Sequence, residues 1–242
     1  MKISLLFAAA LLALTACTAA PSENAVSDSG SSAAAQATPD PTEPPGATPA
    51  PTPQPTPVPE ETMKQRYIET FPAADADVET NVTANGCTLT LEDSLDTEPE
   101  LLVYQGYLYE VQGDLDKLEG LLGEDNALVG AMETSTRQYR DGDPVMATQT
   151  IHELHTMTWQ EVAGASDYTR NELQQYLADY DLQQWTMVAV DLDWTYTPER
   201  EAAGPQLPAG RYQRYFLLAS PSGSRELKLY ALYWEDFYPQ KL

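Results

Sequence analysis

Ten prolines fall between Pro39 and Pro59, and from Thr18 to Glu61 there is no aromatic residue, no Leu and no Ile. A stretch of that composition has no side chains with which to build a core, so it is expected to stay disordered. Its Thr-Pro and Ala-Pro alternation favours an extended polyproline II chain of ~3.1 Å per residue, which gives Pro39 to Pro59 a reach of roughly 60 Å. The expected role is a stalk. A ligand role toward a proline-recognition module gains little from the Pro-x-Pro spacing, which this composition produces anyway. Folding is thereby confined to Thr62–Leu242, long enough for one sizeable domain or two small ones.

Ahead of the stalk the chain reads Met1, Lys2 and an apolar run from Ile3 to Leu14, closing on Leu14-Thr15-Ala16-Cys17. A positive start, a short apolar core and a small-residue exit describe a signal peptide. The run is too short for a transmembrane helix, which needs roughly 20 residues. Its last four residues resemble the lipobox of bacterial lipoproteins. That resemblance implies removal of Met1 to Ala16, lipidation of Cys17 with palmitate-type acyl chains, and a location at the extracytoplasmic face of the cell membrane. The only other cysteine is Cys87, so a disulfide framework is excluded. Cys87, between Gly86 and Thr88, reads as a small strand residue and not as a nucleophile.

The chain carries 37 acidic residues against 13 Lys plus Arg, a formal charge of −24. With Lys2 and the six spacer acids set aside, Thr62 onward still holds 31 acids and 12 bases. The acidity therefore belongs to the folded part. Such a field repels phosphates, so nucleic acid is not an expected partner. It also disfavours anionic lipid surfaces, leaving membrane contact to the acyl chains.

Asn85-Gly86, between Thr-rich and β-prone residues of Val78 to Leu91, predicts a hairpin. Leu101–Val103 and Tyr107–Val111 read as a second strand pair around Gln105-Gly106. Asp114 caps a predicted helix in which Leu115, Leu118, Leu121 and Leu122 share a face, with Gly123 at its end. Leu128, Ala131 and Met132 fit a helix, and Asp141-Gly142-Asp143-Pro144 a turn. Thr158-Trp159-Gln160-Glu161 and Thr169-Arg170-Asn171-Glu172 fit capping boxes, the second opening a helix with Leu173, Tyr176, Leu177 and Tyr180 on one side. From Trp185 to Thr197 residues alternate: Val188, Val190, Leu192 and Trp194 on one face, Ala189, Asp191, Asp193 and Thr195 on the other. Arg211–Ala219 and Glu226–Trp234 are two further strands. The resulting division is a signal peptide at 1–16, a lipidated stalk at 17–61, a hairpin segment at 62–112 and an α+β domain at 113–242.

Four segments carry a diffuse resemblance to uncharacterised lipoproteins of Gram-positive bacteria. They are Tyr168-Thr169 with Glu172-Leu173, the run Val188 to Trp194, the run Gly210 to Phe216, and Tyr230-Ala231-Leu232-Tyr233-Trp234. His152-Glu153-Leu154 belongs to the same pattern. It covers roughly Asp114 to Phe237 and is similar to cone-like domains named for nuclear transport factor two. The fold it implies is helices packed on a curved antiparallel sheet. It carries over no functional residues.

His152-Glu153-Leu154-His155 departs from the zinc-peptidase pattern, because the second His falls at i+3 and no third His exists. On a strand the two rings would point to opposite faces. No metal and no cofactor are expected. Asp191 and Asp193, ~6.5–7 Å apart on one strand face, form a candidate carboxylate pair for acid/base work, or simply the polar side of a half-buried sheet. Arg211, Arg214, Arg225 and Lys228 form a candidate patch for an anionic ligand, unless they pair across strands with Asp191, Asp193 or Glu226. The chain has no Gly-rich phosphate loop, no Gly-x-Ser-x-Gly elbow and no Cys-x-x-Cys pair. The favoured reading is a tethered binding or interaction module whose partner is an envelope protein or a small molecule. The alternative is a small cone-fold enzyme or pocket binder using Asp191 or Asp193 with a Tyr hydroxyl. A deep cavity holding a desolvated Asp would favour that alternative, and a filled core the module.

Overall fold

Asn85 (φ 48°) and Gly86 (φ 80°) turn β1 (Asn81–Ala84) into β2 (Cys87–Leu91). Positive φ at both central residues is what a tight two-residue hairpin requires, and Asn-Gly supplies it cheaply. The computed structural model in which this is seen describes residues 55–74, 76–124, 127–205 and 207–234. Residues 1–54, with the expected export signal, Cys17 and most of the expected stalk, lie outside the described residues.

The hairpin is not a separate unit. β2 pairs in parallel with β3 (Met146–Thr156), and β4 (Leu182–Tyr196), β5 (Gly210–Pro221) and β6 (Lys228–Trp234) follow antiparallel, giving one six-stranded sheet in the order β1 to β6. The α+β class stands, but the sheet is mixed, where an antiparallel one was expected. A parallel pair needs a long crossover, and the chain from 92 to 145 provides it as α2 (Glu98–Gln112), α3 (Leu115–Leu121) and α4 (Ala127–Arg140).

Helix α2 replaces the expected strand pair at Leu101–Val111. Its start is written in Thr97-Glu98-Pro99-Glu100. The Thr97 hydroxyl accepts from Glu100 N, the Glu100 carboxylate accepts from Thr97 N, and Pro99 sits in the first turn, where its missing N–H costs nothing. Val103, Tyr104, Tyr107 and Val111 then recur at helical spacing and are buried against the sheet. Gly113 ends the helix at φ 68°, and a Cβ there would meet Arg140 Cα and Cβ at 2.8 Å, so the α2 and α4 ends close only over glycine.

Each sheet face carries its own core. Val188, Val190, Leu192 and Trp194 of β4 pack with Phe216 and Leu218 of β5 under α2, α3 and α4. Trp185, Met187 and Ala189 point the other way, with Tyr215 and Leu217, under α1 (Glu60–Arg66), α5 (Trp159–Ala163) and α6 (Asp167–Asp179). The alternation read from the sequence is thus a sheet covered on both sides, with the second face left open toward Asp191 and Asp193. A short α7 (Pro198–Ala202), capped by Thr197, links β4 to β5. Thr158 makes its capping box as expected, whereas α6 starts at Asp167 because Ser166, not Thr169, accepts from the helix N–H groups.

The end of the stalk belongs to the folded body. Val58 is 7% exposed and its N–H donates to Gln174 O of α6 at 3.1 Å. Met63 and Tyr67 follow into the second core, where Trp185 Nε1 donates to Met63 O at 3.0 Å and Tyr67 Oη to Met157 O at 2.6 Å. The boundary expected at Glu61 therefore moves back toward Pro55. Valine is the one large aliphatic type in that Pro-rich run, and the body supplies the apolar surface that the run lacks on its own.

Candidate functional site

The open half of the second sheet face gathers most of the chemistry-bearing residues singled out from the sequence. Its geometry follows from one irregularity in β3. Ile151 pairs with Leu192 and Glu153 with Asp191, so His152 is an extra residue facing a continuous β4. Such a bulge shifts the in–out alternation by one and re-aims a side chain. His152 and His155 consequently share this face, contrary to the simple strand expectation of opposite faces.

They do not share a ligand centre. His155 Nε2 lies 3.2 Å from both Glu161 oxygens, one turn into α5. His152 is held between Glu92 Oε2, at 2.6 Å from Nδ1, and Asp193 Oδ2, at 2.8 Å from Nε2. Burial pushes Glu161 upward, but the backbone and hydroxyl of Thr158, with His155, outweigh it and hold the carboxyl below its usual range.

Asp191 is engaged as well. Arg211 stands opposite Asp193 in the register, yet its guanidinium reaches diagonally to Asp191, Nε to Oδ1 and Nη2 to Oδ2, both at 2.7 Å. This is the bidentate fork that a carboxylate accepts best. The two aspartates do share one face, but each is taken by a different basic side chain from a neighbouring strand, Asp191 by Arg211 and Asp193 by His152. A hollow of about 20 Å³ beside Asp191, lined by Glu153, His155, Ala189, Val190 and Gln213, has room for about one water. An open depression of about 370 Å³ lies between α3 and α4 around Glu119, Leu122, Gly123, Val129 and Glu133. Neither Asp193 nor any Tyr lines either one.

The four expected anion-binding cations do not converge. Arg211 and Arg214 are three residues apart on β5, an odd separation that sends them to opposite faces. Arg214 is 7% exposed, its guanidinium 4.8 Å from the Trp194 ring centre and 5.9 Å from that of Tyr212, with Trp234 also against it. Arg214→Glu would thus disturb a core edge and could not serve as a pure binding variant. Lys228, opposite Ala219, donates to Gly120 O and to Glu226 Oε1. It lies about 26 Å along β5 from Arg211 at ~3.3 Å per residue. Arg225 is exposed in the β5–β6 loop. Two of the cross-strand or local pairings proposed from the sequence, Arg211–Asp191 and Lys228–Glu226, are present.

Cys87 is 1% exposed in β2, and burial pushes its thiol up to about 11, the state of a structural and unreactive cysteine. Near it lies a group that the sequence reading passed over. Burial pushes Glu110 up to about 7, against the Ser135 hydroxyl that donates to Oε1 at 2.5 Å. A carboxyl that holds its proton more tightly folded than unfolded gives stability complete below its unfolded value near 4.5 and lost as pH rises through 7. Glu110→Gln is expected to abolish that loss. Urea unfolding of variant and wild type should then diverge by roughly 1–3 kcal/mol in the variant's favour by pH 8. Parallel pH profiles would refute the assignment.

No family model, no curated protein and no solved structure matches this chain. The functional reading accordingly rests on the chain's own geometry.

Proposed function

We propose that the protein is a membrane-anchored extracytoplasmic lipoprotein whose α+β body is a binding or interaction module, with a small molecule or an envelope protein as its partner. The anchor rests on the lipobox-like Leu14-Thr15-Ala16-Cys17, outside the described residues, and on the Pro-rich spacer behind it. Among the described residues no helix is long and apolar enough to cross a membrane. The observation that carries the module reading is the state of Asp191 and Asp193. Both are engaged on an open sheet face, Asp191 by the Arg211 guanidinium and Asp193 by a His152 ring nitrogen, and the cores on either side of the sheet are filled with side chains. A general base or a desolvated catalytic acid needs the opposite setting, a carboxyl set free in an apolar pocket beside a Tyr hydroxyl. The enzyme alternative loses its stated support on that ground.

Two experiments test this reading. Metabolic palmitate labelling is expected to mark the wild type and to skip Cys17→Ala, which should leave the membrane fraction; an unlabelled wild type, or a variant still membrane-bound, would end the anchor proposal. Pull-down from detergent-solubilised membranes is expected to recover a specific envelope protein, or ligand screening a small molecule that binds unchanged. Turnover of a small molecule, destroyed by a single point change, would replace the module with an enzyme.

A further inference from the structure

We propose that His152 is a protonation-controlled clip. As an imidazolium it ties the connection leaving β2 to β4 across the intervening β3, and loss of one proton to solvent releases that connection. The inference stands on the geometry of the open face and does not depend on the proposed function.

Hydrogen-bond stoichiometry carries the argument. An ionised carboxylate only accepts, and a neutral imidazole has one donor and one acceptor nitrogen. Glu92 Oε2 and Asp193 Oδ2 stand 2.6 and 2.8 Å from the two different ring nitrogens, both within the short range of charge-assisted bonds. With both carboxylates ionised, both nitrogens must donate, so the arrangement describes a cationic ring. A neutral ring can keep only one of the two partners and must turn a lone pair toward the other.

The surroundings favour the cation. From the β2–α2 connection come Glu92 and Asp93, from β4 Asp191 and Asp193, and from β3 itself Glu153 and His155. The opposing charge is Arg211 of β5, which is committed to Asp191. Hydrogen bonds first from Glu92 and then from Asp193 lift the imidazole above its ordinary value of 6.5, against desolvation and the Arg211 charge. The sign follows directly. The clip is closed at pH below the raised midpoint and opens as pH climbs through it.

The position of the bulge gives the proton its leverage. His152, like Ala147 near the start of β3, has no β4 partner in the register, so its ring is free of the pleat and can bridge outward to both sides. The segment on the Glu92 side is otherwise held by few bonds. Glu92 N donates to Ile151 O, Asp93 takes Leu154 N on Oδ2, and among the described residues Ser94 is bonded to its neighbours Asp93 and Asp96. The Glu92 side chain is 55% exposed and that of Asp193 38%. Water therefore replaces the ring at Glu92 at the smaller cost, and Glu92 is the contact that breaks.

The chain has two histidines, so an NMR titration of the full-length protein gives two imidazole signals, and His152→Gln assigns them by deleting one. The expected midpoint of His152 lies above 6.5, and Glu92→Gln and Asp193→Asn each lower it. Amide hydrogen exchange at 92–95, corrected for intrinsic base catalysis, should rise about fivefold as pH passes that midpoint, the size expected for one exposed ion pair. In His152→Gln that step should vanish. A midpoint at or below 6.5, or one insensitive to both carboxylate variants, overturns the clip. A raised midpoint with no exchange step at 92–95 overturns its conformational part.

Discussion

Replacing Glu100 by alanine is expected to lower the stability of the folded unit by about 3–5 kcal/mol, the size of breaking a buried charge-assisted network. The side chain is 4% exposed, and both its oxygens are fully used. Oε2 accepts from Asp96 N at 2.7 Å and Thr97 N at 2.9 Å, while Oε1 accepts from Thr156 N and Thr156 Oγ1, both at 2.8 Å. One carboxylate thus caps α2 and fastens its first turn to the end of β3, two elements more than fifty residues apart in the chain. Alanine would leave three part-buried backbone N–H groups without their acceptor, and each such group carries a share of its desolvation cost. Glu100→Gln discriminates this account from a simple volume effect. The amide keeps the shape but turns an NH₂ toward two donors, whichever way it is flipped. It should therefore lose roughly half as much as alanine. Urea unfolding gives both numbers. A Glu100→Ala protein within about 1 kcal/mol of wild type would show that the network is redundant.

Trp185→Ala is the second large effect, expected at about 3–5 kcal/mol from cavity formation. Trp185 is completely buried at the centre of the second core, edge-on to Tyr67 at 4.6 Å and to Trp159 at 6.1 Å between ring centres. It also holds the entry segment twice, through Nε1 to Met63 O and through Ile68 N to its own carbonyl. The loss should therefore be spatially specific. Limited proteolysis is expected to cut first between residues 55 and 74, releasing α1 from the sheet while β3, β4 and β5 remain protected. Trp185→Phe fills most of the volume but strands the Met63 carbonyl, and should cost about 1–3 kcal/mol. Cleavage of Trp185→Ala spread evenly over the chain would mean that the entry segment is held elsewhere.

The missed elements share a physical cause. Leu101 to Val111 is rich in Val, Leu and Tyr, and a short apolar run of that kind suits a buried strand or a buried helix equally. The signal that decides it, Thr97-Glu98-Pro99-Glu100, lies just upstream and was readable as a capping box. The candidate site shows the same split. That Asp191 and Asp193 share a face is legible from strand period, and so, by the same rule, is the separation of Arg211 from Arg214, which closeness in sequence alone does not reveal. The pairing of His152 with Asp193 was not legible, because it depends on a single extra residue in β3 whose presence is expressed only against β4.

What the sequence alone determined is local. The Asn85-Gly86 turn, the caps at Asp114 and Thr158 and the alternation along β4 each depend on backbone preferences or side-chain periods within a few residues. The tertiary structure decided which surfaces those elements meet. It made β2 run parallel to β3, buried Val58 of the Pro-rich stretch against α6, and turned Glu100 and His152 into links between distant segments. Burial and hydrogen-bond satisfaction are properties of the assembled chain, since an acceptor or an apolar neighbour far along the sequence has no influence until folding brings it within reach.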